Sequence, residues 1–240
     1  WFYHHRGMPW DLSSAYYEPE EELIDYHRRN GVGFYLANLA PFYDVTFGED
    51  VRASSTRSDE NPPRITWRYE TSLGAISRSR VWSEQTYSWH IDRYGVADER
   101  DLRVLARALG SRRFAPAWDR YDAWRRQIGD TGVLYLSAGY SAIGYLLSYW
   151  MRTEDLIYAT FDHPDLMREV TDTINAACLR LVDLLAESPA EIIFMGDNFS
   201  SDVQSPPFFR QWSAPYYDEA IRRLHRAGKC VAVHIDGQLR

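Results

Sequence analysis

Residues 228–237, near the end of the chain, have the pattern of a helix end followed by one strand. Gly228 occupies the position just past a helix, where glycine enters the left-handed conformation at little cost. Side chains alternate between the two faces of a strand, so His234 and Asp236 share a face. In a parallel barrel, the inner face of each strand presents its last side chains at the C-terminal rim. The segment therefore favours a parallel α/β fold with His234 and Asp236 at that rim.

The second half of the chain alternates strand and helix patterns. Apolar runs at 133–137 and 192–195 have the length of buried strands, and a helical stripe follows Asp98. The longest helix opens at Pro164, because proline is accepted at the first helical position. Short connections between strands and helices imply parallel strands joined by right-handed crossovers. The pattern predicts an α/β barrel.

An antiparallel segment interrupts this alternation. Residues 64–70 and 75–90 alternate polar and large apolar side chains on either side of a glycine turn at 71–74, which predicts a hairpin. We assign residues 44–92 to a β-hairpin insertion outside the main sheet. A complete barrel takes about 250 residues, so too few strands remain to close one. We expect residues 1–240 to form a single partial barrel domain that lacks its N-terminal leader and its last strands.

Charge and cysteine content limit the class of protein. The formal net charge of −7 argues against nucleic acid as a partner, because phosphate binding needs a basic face. No apolar run approaches the about 20 residues of a membrane-spanning helix, so no membrane partner is expected. The two cysteines, Cys178 and Cys230, provide no disulfide framework, which is typical of a reducing compartment. We therefore expect a cytoplasmic protein.

The His-X-Asp pair is the first candidate site. Residues two apart on a strand are separated by about 6–7 Å along the backbone, so His234 and Asp236 can both reach one metal ion or one substrate atom. Imidazole and carboxylate are ligands that zinc accepts. The alternative is a histidine hydrogen-bonded within the barrel and an aspartate that caps the next helix.

A second candidate follows the strand at 192–195. Gly196 lets the backbone pass close to a ligand, and Asp197 and Asn198 come directly after it. A carboxylate facing His234 across the rim can serve as a third metal ligand, a general base or an anchor for a substrate nitrogen. An ordinary turn explains the same residues equally well. We expect the pocket to be lined by Asn198 and by loops 137–144 and 199–205, which include Tyr140 and Phe199.

Several segments resemble the uroporphyrinogen decarboxylase (URO-D) superfamily. The resemblance lies in GDNFSSDVQSPPFFRQWSAPY at 196–216 and AGKCVAVHIDG at 227–237, while YETSLGA at 69–75 and DHPD at 162–165 are similar to its uncharacterised and methyltransferase-like branches. It implies a (β/α)8 TIM barrel with the site at the C-terminal rim. One branch decarboxylates uroporphyrinogen without a cofactor. Another transfers methyl groups to or from corrinoid or thiol carriers, with zinc held by a His-X-Cys pair and a later cysteine.

The resemblance to the methyltransferase-like branch implies specific metal ligands in this chain. His234 matches the histidine of the zinc pair, and Asp236 stands where the cysteine would be, which can change the preferred metal because carboxylate is a harder ligand. The resemblance implies an enzyme that carries out zinc-assisted methyl transfer on a small-molecule substrate, with Asp197 as a further ligand or base and a corrinoid protein as partner.

Two other functions stay open. The first is cofactor-free tetrapyrrole decarboxylation, with Asp197 or Asp236 binding the pyrrole NH groups. The arginine-rich substrate motif of the decarboxylase is not found in residues 1–50, which counts against this alternative. The second is a non-catalytic member that binds a small molecule or forms a homodimer, because an open barrel exposes strand edges.

Overall fold

The computed structural model describes residues 2–7, 17–36, 42–235 and 237–238. Its helices are α1 (Phe2–Arg6), α2 (Tyr17–Arg29), α3 (Glu99–Gly110), α4 (Trp118–Ile128), α5 (Ala142–Tyr145), α6 (Thr153–Asp162), α7 (Pro164–Ala186), α8 (Pro206–Trp212) and α9 (Ala214–Arg226), and a π-helical turn, Leu146–Trp150, continues α5. Its strands are β1 (Phe34–Leu36), β2 (Tyr43–Thr46), β3 (Arg52–Ser58), β4 (Arg64–Thr71), β5 (Gly74–Ser83), β6 (Ser88–Arg93), β7 (Arg113–Pro116), β8 (Gly132–Leu134), β9 (Leu136–Ser137), β10 (Ile192–Phe199) and β11 (Cys230–Ile235).

The parallel strands form the wall on which the candidate site is built. β1 pairs with β8, and β10 lies between β9 and β11, all in parallel. Only Tyr135 separates β8 from β9, so this stretch of chain links the two parallel sheets. The α/β class predicted from the sequence is confirmed. In the ranges that the structure describes, however, the strands fall into four separate sheets and no closed barrel is formed. The complete (β/α)8 architecture therefore stays a prediction.

The antiparallel part is larger than a hairpin. Strands β3, β4, β5 and β6 form one four-stranded sheet in sequence order. The predicted pairing across the turn at 71–74 is confirmed, with Thr71 opposite Gly74 and Glu70 opposite Ala75. The segment 75–90 is not one strand, because a turn around Tyr87, at φ 50°, folds it into β5 and β6. The insertion boundaries 44–92 stay a prediction, and β2 pairs with β7 outside this sheet.

Helix signals in the sequence correspond to real helix ends. The Asp98 side chain accepts a hydrogen bond from the Asp101 amide, 2.9 Å away, at the start of α3. The Ser205 side chain caps α8 in the same way, ahead of Pro206. Gly228 has φ +75° just after α9, which is the left-handed conformation expected of it. These local signals fix where the helices start and stop.

The main core lies between the helices and the parallel strands. α7 packs against α3 and α9 and contributes an apolar stripe, in which Leu166, Val170 and Ile174 are buried. A second, smaller core of Ile65, Trp82 and Trp89 lies on one face of the antiparallel sheet. None of the helices in the described ranges combines the length and the apolar character needed for a bilayer crossing.

Candidate functional site

The carboxyl ends of β9, β10 and β11 lie side by side and carry the predicted site. His234 is the fifth residue of β11, and its imidazole is exposed. It lies beside Phe194 on β10, with ring centroids 6.3 Å apart. Phe194 in turn packs against Tyr135, at 5.0 Å. An exposed imidazole beside an aromatic wall can bind a ligand or a metal from the open side.

Asp197 lies near the end of β10 and is completely buried. The Ser141 amide donates a hydrogen bond to Asp197 Oδ1 at 2.8 Å, and the Ser141 hydroxyl donates a short one to Oδ2. Burial raises the pKa of Asp197, and the hydrogen bonds from Ser141, together with the nearby Tyr217, offset part of this rise. The carboxylate thus holds the loop before α5 against β10.

The position of the Asp197 carboxylate also requires a glycine at position 144. Gly144 lies in α5, and its amide donates to the Ser141 hydroxyl at 3.1 Å. A Cβ atom at Gly144 would overlap the carboxylate group of Asp197. The helix can approach β10 this closely only because residue 144 has no side chain.

The described neighbours of Asp197 and of His234 are different residues. Asp197 follows the buried residues Ile193 and Met195 at alternate positions of β10, and its neighbours Ser141 and Tyr217 belong to the helix layer. His234 lies on the opposite face, beside Phe194. The described contacts of Asp197 are thus with the helix layer, and a carboxylate that faces His234 across the rim stays a prediction. The predicted roles of Asp197 as ligand or base stay untested predictions.

The remaining predicted residues are distributed around these two faces. Tyr140 packs against Tyr145 and Tyr149, with ring centroids 5.7 and 5.2 Å away. Phe199 packs against Phe209 and Tyr217, and it lines an apolar cavity of about 300 Å³. Asp236 lies outside the described residues. Asn198 belongs to β10, but its side chain also lies outside the description.

A buried polar cluster behind the loop was not predicted from the sequence. The Arg112 guanidinium donates to Leu109 O at 2.8 Å, to Tyr145 Oη at 2.8 Å and to Cys178 Sγ at 3.3 Å. The Cys178 thiol donates to Tyr140 O at 3.4 Å. Burial alone would lower the pKa of Arg112, but Tyr145 and Cys178 raise it overall, whereas burial raises the pKa of the Cys178 thiol.

Two further arginines, Arg78 and Arg80 on β5, were also missed. Both line a cavity of about 370 Å³ together with Tyr140. The sequence signal was available in part, because residues two apart on a strand share a face. Whether an acidic group pairs with either of them could not be found without the tertiary structure.

The described donors do not complete a metal site. No three histidine, cysteine, aspartate or glutamate residues lie close enough to hold one ion in the part of the chain whose side chains are described. His234 contributes a single exposed imidazole, a donor type that suits zinc. Of the predicted zinc pair, the structure therefore describes one donor.

Comparison with known proteins gives the family and the fold. The profile of the uroporphyrinogen decarboxylase (URO-D) family matches residues 99–240. The solved structure of a methyltransferase from Methanosarcina mazei is similar in fold, with a TM-score of 0.50 and 14% sequence identity over 98% of this chain. The matched part is 61% of that methyltransferase, so the chain spans about three fifths of its length. No curated protein sequence matches the chain significantly. Because the family profile covers more than half of the chain, the protein belongs to the uroporphyrinogen decarboxylase (URO-D) family.

Proposed function

We propose that this chain is part of a URO-D-like enzyme that carries out zinc-assisted methyl transfer between a small-molecule substrate and a corrinoid or thiol carrier. The observation that carries the proposal is the exposed imidazole of His234 at the carboxyl end of β11. The family supports an enzyme, and the named activity of the M. mazei protein supports methyl transfer. In this proposal, a full (β/α)8 barrel surrounds the site.

His234 and Asp236 would hold the metal. Residues two apart in an extended chain share one face, so the sequence predicts that both side chains can approach one ion. A zinc ion bound there would act as a Lewis acid on a thiol, hydroxyl or methoxy group. Phe194 forms the wall beside the imidazole and limits the directions from which water reaches it.

Asp197 has a supporting role in this proposal. Both of its oxygens accept hydrogen bonds from Ser141, and the side chain is fully buried. It is therefore suited to position the 137–144 loop, which carries Tyr140 at the strand ends. The same burial disfavours its use as the pyrrole-binding group that tetrapyrrole decarboxylation would require.

The test is metal content by mass spectrometry of the purified protein beside a His234→Ala variant. His225→Ala provides the matched control, because His225 is an exposed histidine on α9, away from the strand ends. We expect about one zinc per chain in the wild type and in His225→Ala, and loss of zinc in His234→Ala. Metal in neither protein, or metal that His234→Ala retains, would reject zinc-assisted transfer.

The reaction needs its own measurement. Zinc-loaded protein is mixed with methylcobalamin and a small thiol, and loss of the methyl–cobalt absorbance is followed. We expect turnover that falls at least tenfold in His234→Ala and is unchanged in His225→Ala. If the metal-free protein turns over a tetrapyrrole and the protein does not turn over methylcobalamin, the decarboxylase alternative is favoured.

A further inference from the structure

A cavity of about 370 Å³ lies between the antiparallel sheet and the π-helical turn. Its lining is aromatic and basic, and it includes Trp67, Tyr69, Arg78, Arg80, Tyr140 and Tyr149. The volume is within the range of small-molecule pockets, which begins at about 300 Å³. The cavity adjoins the strand ends, because Gly139, which also lines it, accepts a hydrogen bond from the Gly196 amide at 3.0 Å.

In the part of the chain that the structure describes, the two arginines have no acidic partner. Within the described residues, neither Arg78 nor Arg80 forms an ion pair, and the Nε atom of each is buried without a hydrogen-bond acceptor. Arg80 Nη2 donates a long hydrogen bond to the Ser148 carbonyl oxygen, at 3.4 Å. Arginines of the neighbouring strand are different, since Arg68 pairs with Glu70 at 2.7 Å.

Arg78 and Arg80 are half-buried, and no acidic side chain among the described residues balances their positive charge. Arg78 and Arg80 are two residues apart on β5 and share a face, while Ser79 between them bonds Asp92 on the other side. Burial and the charge of Arg80 lower the pKa of Arg78 to about 10, so the Arg78 guanidinium remains cationic at neutral pH. Buried charge that lacks a partner is costly, and a bound anion would relieve that cost.

The guanidinium of Arg78 lies close to aromatic rings of the cavity. Its guanidinium carbon lies 4.1 Å from the ring centroid of Trp67 and 4.8 Å from that of Tyr149. These are cation–π contacts, which do not use the hydrogen-bonding capacity of the guanidinium. Its Nε atom has no acceptor within the described residues, and a guanidinium can bind carboxylate and phosphate oxygens in a bidentate manner.

We propose that this cavity binds an aromatic oxyanion, a flat ligand with a carboxylate or phosphate group. Arg78 and Arg80 hold the anionic group, and the rings of Trp67, Tyr69 and Tyr149 pack against the flat body. The proposal does not depend on methyl transfer or on a metal at His234. It concerns binding alone, so it can fail or succeed separately from the proposed reaction.

The test is isothermal titration of the protein with benzoate, phenyl phosphate and the neutral analogue benzamide. Benzoate and phenyl phosphate distinguish carboxylate from phosphate as the preferred group. We expect at least one anion to bind at least tenfold more tightly than benzamide, because a charge-assisted hydrogen bond contributes about 1.5–3 kcal/mol. Arg78→Met and Arg80→Met should each weaken anion binding at least tenfold, whereas Arg68→Met on the adjacent strand should bind as the wild type does.

Three results would overturn the proposal. They are no binding of either anion at millimolar concentration, equal binding of the anions and benzamide, and unchanged binding in both arginine variants. Thermal unfolding of each variant shows whether it is folded. The comparison of anions with benzamide uses only the wild-type protein, so it decides the question even where a variant does not fold.

Discussion

The carboxylate of Asp197 occupies the space that a side chain at Gly144 would need. Asp197 lies on β10 and Gly144 in α5, and Ser141 hydrogen-bonds to both of them. The three residues fix the distance between the first turn of α5 and the end of β10. A polar contact buried at this point determines the position of the loop that carries Tyr140.

We expect Gly144→Ala to destabilise the protein. In a helix, alanine is favoured over glycine by about 1 kcal/mol, so helix propensity alone predicts the opposite sign. Overlap with Asp197 should outweigh this gain, because overpacking a core costs about 1–3 kcal/mol. The measurement is the free energy of unfolding from urea denaturation. Gly33→Ala is the control, since a Cβ there meets only Thr131 O, at 3.9 Å.

A double-mutant cycle identifies the cause of that loss. If the overlap is with the carboxylate, the cost of Gly144→Ala should shrink when Asp197 is already alanine. Equal costs in the two backgrounds would show that another neighbour is responsible. The same result would contradict the close approach described above.

Asp197→Asn should change how stability depends on pH. Burial raises the pKa of Asp197, so the native protein keeps this proton at pH values where the unfolded chain has lost it. The contribution is therefore complete below about pH 4, the ordinary aspartate pKa, and is lost as pH rises through the native pKa. The wild type should lose up to about 1.4 kcal/mol per pH unit in this window relative to Asp197→Asn. A difference in unfolding free energy that is independent of pH would contradict this assignment.

The sequence predicts the helices and strands better than it predicts the direction in which each candidate side chain points. Capping residues such as Asp98 and a helix-ending glycine such as Gly228 act locally, so they can be recognised in the sequence. The end of β10 could not be located in this way. The apolar run stops at Met195, whereas the strand continues to Phe199. The pairing with β11 is irregular between Met195 and Phe199, so the direction of Asp197 follows from its hydrogen bonds to Ser141 and not from a simple alternation.

Other parts of the site depend on contacts between distant segments. Arg112 meets Cys178 across 66 positions of sequence, and no local pattern links the two. Arg78 and Arg80 lie in a segment that alternates as a strand should. Only the packed sheet shows that no acidic side chain among the described residues pairs with them. Long-range pairing of charges is thus the information that the sequence pattern lacks.

The two cysteines should differ in their reaction with a thiol reagent. Cys230 is exposed at the start of β11, and Cys178 is buried with a pKa raised by that burial. Because the thiolate is the reactive form, Cys178 should be inert in the native protein. Labelling with dithionitrobenzoate should therefore modify one thiol per chain in buffer and two in denaturant. Cys230→Ser should abolish the rapid reaction, and fast labelling of two native thiols would contradict the burial of Cys178.

Arg112→Ala should destabilise the protein far more than Arg113→Ala. Arg112 is buried and donates to Tyr145, Cys178 and the Leu109 carbonyl, whereas the next residue, Arg113, is exposed at the start of β7. Truncation leaves buried acceptors unsatisfied, at about 1–3 kcal/mol for each such group. Urea denaturation of the two variants measures the difference, and Cys178 provides a second readout. Its labelling in buffer should become faster in Arg112→Ala, because local opening of this region becomes less costly. Equal stability of the two variants would show that the buried guanidinium does not hold the segments together.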